Sequence, residues 1–302
     1  MASNSTRVTI GVHPNNQSLF VLRRLGVLED SLDAHGAEVE WVDYDDGRCT
    51  IDLFAEGEID FGGTGSMPPI QAQSDGLPIG YVAASPPRPA QGAVIVHEDS
   101  PVRSLSDLRG RSVALMEGSY HTELLAFALL RAGLSYTDVE TVDGLAHENR
   151  ADFLSGRAQA WVAGDPYLAQ VQTEGTGVRY LAGTAEHIPN RSFWWARTEF
   201  ARDAPDLLDT VVDALARAEE WIVARPAAAA ALFSEALPES PSAASWERSL
   251  RRRPWGHLPV HGDPAREQQA AADLYARLGI IPAPISVNDA LLPTVASLRK
   301  AV

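Results

Sequence analysis

Apolar and polar positions along the first half of the chain switch between two periods. Val8 to Val12 alternates with period two and predicts a strand. Ser18 to Leu32 carries Leu19, Leu22, Leu25, Leu28 and Leu32 at helical spacing and predicts one continuous helix. Val39 and Trp41 share a face of a second strand, Val39 to Asp43, and a short helix, Cys49 to Glu56, leads to a third strand, Ile59 to Gly62. The same order then returns. Ser112 to Met116 reads as a strand, Thr122 to Ala132 as a helix closed by Gly133, Val139 to Val142 as a strand, His147 to Leu154 as a helix and Ala158 to Ala163 as a strand. The repeat extends to local text: Phe54-Ala55-Glu56-Gly57-Glu58-Ile59-Asp60 is echoed by Phe153-Leu154-Ser155-Gly156-Arg157-Ala158-Gln159. These patterns predict an α/β chain of two related lobes, each a mainly parallel sheet flanked by helices. A single larger α/β sheet with chance local similarity is the alternative.

The last third is patterned differently. Asp203-Ala204-Pro205 reads as an N-cap with proline in the first turn, opening a helix that runs to about Arg225 and stops before Pro226. Residues 227 to 237, 243 to 252, 265 to 278 and 287 to 300 also read as mostly helical. No Gly/Ser-rich or Pro-rich linker sets this tail apart, so it is expected to pack on the first lobe.

Charge and cysteine content narrow the function. Over 302 residues, 40 acids against 25 bases give a formal net charge of −15, with Lys300 the only lysine. This balance argues against phosphate-backbone binding and against docking on an anionic membrane surface. Cys49 stands alone, so neither an intrachain disulfide nor a Cys-rich metal site is possible. No apolar run approaches the roughly 18 to 20 residues of a membrane helix. The first residues lead straight into the first strand without a basic, then apolar, leader. A cytoplasmic protein is therefore expected if the chain is complete; a mature exported form is the alternative.

Candidate chemistry lies in the loops that follow the strands. In open parallel sheets ligands bind beyond the carboxyl ends of the strands, where helix N-termini favour anions. Three loops suit such a role. The first contains His13-Pro14-Asn15-Asn16-Gln17-Ser18, the second Gly62-Gly63-Thr64-Gly65-Ser66-Met67-Pro68-Pro69, and the third Glu117-Gly118-Ser119-Tyr120-His121. Their short polar side chains and glycines offer neutral donors without bulk. Taken singly, each loop also reads as ordinary capping and turn chemistry.

In Ile59-Asp60-Phe61-Gly62-Gly63-Thr64-Gly65-Ser66-Met67-Pro68-Pro69-Ile70-Gln71-Ala72-Gln73, in Asp99-Ser100-Pro101-Val102-Arg103-Ser104-Leu105-Ser106-Asp107-Leu108-Arg109-Gly110, in Gly118-Ser119, in Ala160-Trp161-Val162-Ala163-Gly164-Asp165-Pro166-Tyr167, in Arg252-Arg253 with Gly256, and in Ile281-Pro282-Ala283-Pro284-Ile285-Ser286-Val287-Asn288-Asp289-Ala290, the chain resembles the aliphatic-sulfonate, nitrate and taurine group of ABC-transporter substrate-binding proteins. The similarity is to the alkanesulfonate-binding type and covers nearly the whole chain. It implies a two-lobed periplasmic-binding-protein fold that closes on an oxyanion. Residues 1–92 and 190–302 would form one lobe and 93–189 the other. It also implies a small anionic or zwitterionic ligand, an ABC permease as partner if the protein is exported, and no cofactor, metal or nucleic acid.

A sulfonate spreads one charge over three oxygens and calls for several donors. Thr64, Gly65 and Ser66 are expected from one lobe, and Gly118, Ser119 and Tyr120 from the other. Asn16 and Gln17 are expected at the head group or adjacent chain. Asp165 is expected to hold a ligand amine or to fix its own loop, and Arg191 to act as a cationic clamp. Trp194, with Phe193 and Trp195, would wall the organic tail or pack in the core. Two positions depart from the resemblance. Glu117 stands where a basic or neutral residue is common; an acid there suits a ligand with an added amine, or else points to solvent. Gly164 stands where a large residue is frequent, which would enlarge the pocket.

An enzyme on the same fold is the alternative, since the resemblance extends to an aryl-sulfinate desulfinase and to enzymes of menaquinone and thiamine-pyrimidine synthesis. Desulfination of that kind needs a cysteine in the first loop, where this chain has Pro14-Asn15-Asn16. Cys49, near Asp45, Asp46 and Arg48, reads as a small buried residue. His13 and His121 are the candidate acid/base pair. No Gly-x-Ser-x-Gly elbow or His-Glu-x-x-His is present, and Pro259 separates His257 from His261. A cytoplasmic sensor or scaffold that kept the fold is a third reading.

Overall fold

In the computed structural model the chain is described over residues 6–237 and 239–299. The first five residues and Lys300, the expected end of the last helix, lie outside that range. Its contacts fall into two units. Unit 1 comprises Met1–Pro86, Arg191–Ala224 and Trp255–Val302; unit 2 comprises Pro87–Asn190 and Arg225–Pro254.

Ten strands occur among the described residues: β1 (Thr6–Val12), β2 (Ala37–Asp43), β3 (Phe61–Thr64), β4 (Ile79–Ala84), β5 (Gly92–His97), β6 (Ser112–Leu115), β7 (Glu140–Asp143), β8 (Ala160–Gly164), β9 (Val178–Gly183) and β10 (Phe193–Arg197). Unit 1 orders its sheet β2-β1-β3-β10-β4, and unit 2 orders its own β7-β6-β8-β5-β9. In unit 1, β1 pairs in parallel with β2 and β3, while β10 runs antiparallel to β3 and β4. In unit 2, β6 pairs in parallel with β7 and β8, while β5 runs antiparallel to β8 and β9. Each sheet thus has four strands running one way and one reversed strand in the fourth place. The reversed strands, β5 and β10, are those met directly after the chain passes from one unit to the other.

The two units also repeat one side-chain device. The Asp60 amide donates to Thr9 O (2.8 Å) and the Thr9 amide donates back to Asp60 Oδ2 (2.9 Å). In unit 2, the Gln159 amide donates to Ser112 O (3.0 Å) and the Ser112 amide to Gln159 Oε1 (3.4 Å). Asp60 and Gln159 are matched positions of the echoed text, and Gly57 and Gly156 before them both take positive φ, +74° and +77°. The textual repeat is therefore a structural one, which fixes the pairing of the third strand against the first in each unit.

Several elements depart from expectation. Gly26, at φ +69°, ends the helix Gln17–Leu25 and starts Val27–Asp33, so the single helix over 18–32 is broken by a left-handed residue. Asp203 closes the helix Thr198–Asp203; it does not cap the long helix Pro205–Ala224. Over 287–299, Pro293 interrupts the pattern and leaves the 3-10 turn Val287–Ala290 and the short helix Ala296–Arg299. The sequence reading kept residues 190–302 together, but the helices Pro226–Ala236 and Ala243–Arg252 pack in unit 2. Buried Asp165 fastens the second of them there. It pairs with Arg252, whose Nε donates to its Oδ2 at 2.7 Å, and accepts a bond from Gln91 Nε2 (3.2 Å). Gln91 Nε2 also donates to Ser249 O (3.2 Å), in the same helix as Arg252.

Candidate functional site

In unit 1 the loop after β1 and the strand β3 converge on Gly63. Asn16 caps the helix Gln17–Leu25: its Oδ1 accepts from the Leu19 amide at 3.1 Å. Its Nδ2 is buried without a hydrogen-bond partner, and so is Nε1 of fully buried Trp194. A Cβ on Gly63 would collide with Asn16 Nδ2 and lie 2.6 Å from Trp194 Cδ1 and 2.9 Å from its Nε1. Glycine at 63 is what lets the two donors approach the same spot. Burying a donor with no acceptor costs about 1–3 kcal/mol, so a pair held this way calls for an acceptor from outside the chain. His13 Nε2 donates to Gly63 O at 2.8 Å, which leaves Nδ1 as an unpartnered acceptor. Burial lowers the His13 pKa to about 4 and keeps the ring neutral.

The same unit holds a buried carboxylate absent from the sequence expectations. Glu219, on the helix Pro205–Ala224, accepts from Ser18 Oγ (2.6 Å) and from the Gly256 amide (2.8 Å), and lies 3.4 Å from His257 Nδ1. The His257 ring packs on Trp194, with centroids 4.3 Å apart. Glu219 thereby ties the residue after Gln17 to the loop that backs Trp194. A glutamate inside an amphipathic helix carries no sequence signal of such a role.

The remaining unit 1 expectations resolve one by one. Gln17 is buried and opens its helix. Thr64 is occupied: its Oγ1 donates to Gly65 O (3.1 Å) and accepts from Trp195 Nε1 (3.2 Å). A Cβ on Gly65 would meet nothing within 4 Å, so this backbone borders open space. Ser66 precedes the helix Met67–Ser74, and its carbonyl accepts from Gln268 Nε2 (2.7 Å). Phe193 and Trp195 belong to the core, Trp195 stacked on Phe54 with centroids 4.2 Å apart and Phe193 edge-on to Tyr81 at 5.7 Å. Arg191 is buried against Glu267 (Nε to Oε2, 2.5 Å) and Ser85 O (Nη1, 2.7 Å), so its charge is already neutralised.

In unit 2, Ser119 caps the helix Tyr120–Arg131, with its Oγ donating to Met116 O (2.7 Å) and accepting from the His121 amide (3.1 Å). Gly118 turns at φ +74° and its amide donates to Thr122 Oγ1 (3.2 Å). Both are spent on local structure. The Tyr120 hydroxyl donates to Gln91 O (3.3 Å), and burial pushes its pKa up, so it remains a donor. His121 Nδ1 accepts from the Met116 amide (3.3 Å), and burial lowers its pKa to about 4. Gly164 does not open a pocket. A Cβ there would overlap the Tyr120 hydroxyl and lie 2.7 Å from His121 Nε2, because those side chains fill the space. Glu117 Oε1 accepts from the Tyr136 hydroxyl (3.2 Å), which is neither of the two roles considered for it. Asp165 is committed to Arg252, Gln91 and the Ala169 amide (3.1 Å). Cys49 is exposed, not buried. His13 and His121 belong to different units, and each has a hydrogen bond of its own. One group escaped the sequence reading altogether: Arg88 is buried in unit 2, with the Arg253 guanidinium and the Tyr120 hydroxyl near enough to act on its charge.

Two like-wired α/β units, each with one reversed strand and a set of polar strand-end loops, make the fold of the periplasmic binding proteins. Solved structures agree. An alkanesulfonate-binding protein from Xanthomonas axonopodis pv. citri bound to MOPS matches with a TM-score of 0.84 at 26% identity, over 96% of this chain and 99% of that one. The periplasmic aliphatic sulphonate binding protein of Escherichia coli matches with a TM-score of 0.84 at 27% identity, over 96% and 93%. Sequence comparison finds 30% identity over 255 residues with an aliphatic sulfonates-binding protein of Escherichia coli (strain K12), covering 84% of this chain and 79% of that one. The NMT1/THI5 like family matches residues 32–229, more than half of the chain, and the chain belongs to that family.

Proposed function

We propose that this protein is a solute-binding protein that captures a small organosulfonate-type oxyanion for an ABC importer. The observation that carries this reading is the pair of buried, unpartnered donors, Asn16 Nδ2 and Trp194 Nε1, on either side of Gly63. An acceptor-only group such as a sulfonate oxygen satisfies both, and the sulfonate-binding relatives supply the ligand class. We take the Gly65 backbone, Ser66 and Gln17 as further unit 1 contacts. Anionic ligands fit better than zwitterionic ones, since Asp165 and Glu117 already have partners in their own unit. The E. coli relative is described as periplasmic, and by that likeness we infer a place outside the cytoplasm, beside a permease. Among the described residues no helix is long and apolar enough to cross a membrane.

A thermal-shift panel tests this reading. Methanesulfonate and ethanesulfonate at millimolar concentration should raise the melting midpoint by several degrees, and Asn16→Ala should abolish the shift. Equal shifts from chloride, or an undiminished shift in the variant, would contradict it.

A further inference from the structure

Ser18, Gly256 and His257 meet on one carboxylate inside unit 1, that of Glu219. Its side chain is only 4% exposed, and its two oxygens serve segments far apart in sequence. Oε1 accepts from Ser18 Oγ (2.6 Å), 201 residues away, and Oε2 from the Gly256 amide (2.8 Å), 37 residues away. Oε2 also lies 3.4 Å from Nδ1 of buried His257. A buried carboxylate is costly unless its oxygens are bonded, and here the bonds that offset the cost join two distant segments.

Each of those bonds leads to one of the two unpartnered donors. Ser18 stands two residues after Asn16, in the first turn of the helix that Asn16 caps. Asn16 Oδ1 is held by the Leu19 amide, so the direction of Nδ2 follows the placement of that turn, and Ser18 Oγ pins the turn from outside. Trp194 is fixed along its backbone by antiparallel pairing with Gly63, and its ring packs on His257 with centroids 4.3 Å apart. The Gly256 bond holds the loop that carries His257. A binding group is effective only when its supporting contacts hold it within a fraction of an ångström of the required place. Position and charge predict opposite signs here. On charge alone, removing a carboxylate from this unit would strengthen the binding of an anion; if the carboxylate acts through position, its removal weakens binding. Glutamine can still accept from the Gly256 amide and donate to Ser18 Oγ, whereas alanine can do neither.

We infer that Glu219 is a positioning residue for anion capture: through Ser18 and through His257 it holds Asn16 and Trp194 at the spacing at which their N–H groups meet one acceptor. This rests on the reading of the protein as an oxyanion binder, and the experiment separates the two. Calorimetric titrations with ethanesulfonate, at a temperature where each variant is folded, would compare wild type with Glu219→Ala, Glu219→Gln and Ser18→Ala, and would repeat Glu219→Ala on a Trp194→Phe background. Sulfate and nitrate serve as further anions. The expected result is a loss of affinity of at least 30-fold in Glu219→Ala, recovery to within about fivefold of wild type in Glu219→Gln, and a loss of at least fivefold in Ser18→Ala. On the Trp194→Phe background the Glu219→Ala loss should shrink below tenfold, because one of the two positioned donors is already gone. A merely structural carboxylate would lower the melting midpoint and leave the affinity of the folded protein as it was. A Glu219→Ala affinity within threefold of wild type, or tighter than wild type, overturns the assignment, and so does an undiminished loss on the Trp194→Phe background. Should Glu219→Ala fail to fold, Ser18→Ala decides, and an affinity within twofold of wild type overturns the assignment. If wild type binds ethanesulfonate and the variants bind it equally well, the Glu219 assignment falls and the sulfonate reading stands. If only another oxyanion binds, with the same losses, the assignment stands and the sulfonate reading falls. If no anion binds, both fall.

Discussion

At the scale of single residues, the first loop named from the sequence holds one unit 1 donor, Asn16, and β10 holds the other, Trp194, but most hydroxyls in the named loops are spent. Thr64 and Ser119 serve the backbone and neighbouring side chains, whereas Asn16 and Trp194 each keep a buried N–H. Composition reveals which loops are polar; which atom of a loop remains unpaired depends on long-range contacts such as Trp195 to Thr64. The same holds for the arginines. Nothing local distinguishes Arg191 from Arg88, because Glu267 lies 76 residues from the one and Asn190 lies 102 from the other. Gly63→Ala should abolish sulfonate binding and lower stability, since the new methyl enters the space of Asn16 Nδ2 and Trp194; unaltered titration and melting curves would refute this. The buried histidines give a pH signature. His13 and His121 have folded pKa values of about 4, below the unfolded value of 6.5. Between these limits the unfolded chain binds the extra protons. Stability is therefore full above about pH 6.5 and falls as the pH drops toward 4, by up to about 1.4 kcal/mol per pH unit for each histidine. Urea midpoints measured from pH 7 to pH 4.5 should fall accordingly, and His121→Asn should flatten the slope; a level wild-type profile would count against it.

At the scale of elements, the strands inside the repeated pattern were readable, whereas β4, β5, β9 and β10 were not. β1 and β2 carry alternation, whereas β4 is buried at all six positions, β5 at five of six and β10 at four of five, so no period marks them. These unmarked strands include both reversed ones, which is why the sheets read as more parallel than they are paired. The helix Ala243–Arg252 was visible from its own spacing, but its allegiance was not, since that depends on Asp165 far away in sequence. Asp165→Asn should leave Arg252 without its counter-charge. Loss of one partner of a buried ion pair costs about 3–5 kcal/mol. Chemical denaturation should show a drop of that order, with proteolysis first appearing in residues 225–254. An unchanged unfolding midpoint would show that this strap is held by other contacts.

At the scale of the whole molecule, duplication was the most legible feature. The echoed text at Phe54–Asp60 and Phe153–Gln159 maps onto the same strand-locking bonds, and the two sheets share one order of strands. A duplicated unit places equivalent strand-end loops twice in one chain. The most direct test of the account is calorimetric titration of the purified protein with ethanesulfonate. The account predicts one site per chain and a dissociation constant in the micromolar range or below, with little heat from nitrate. No heat at millimolar ethanesulfonate would contradict it.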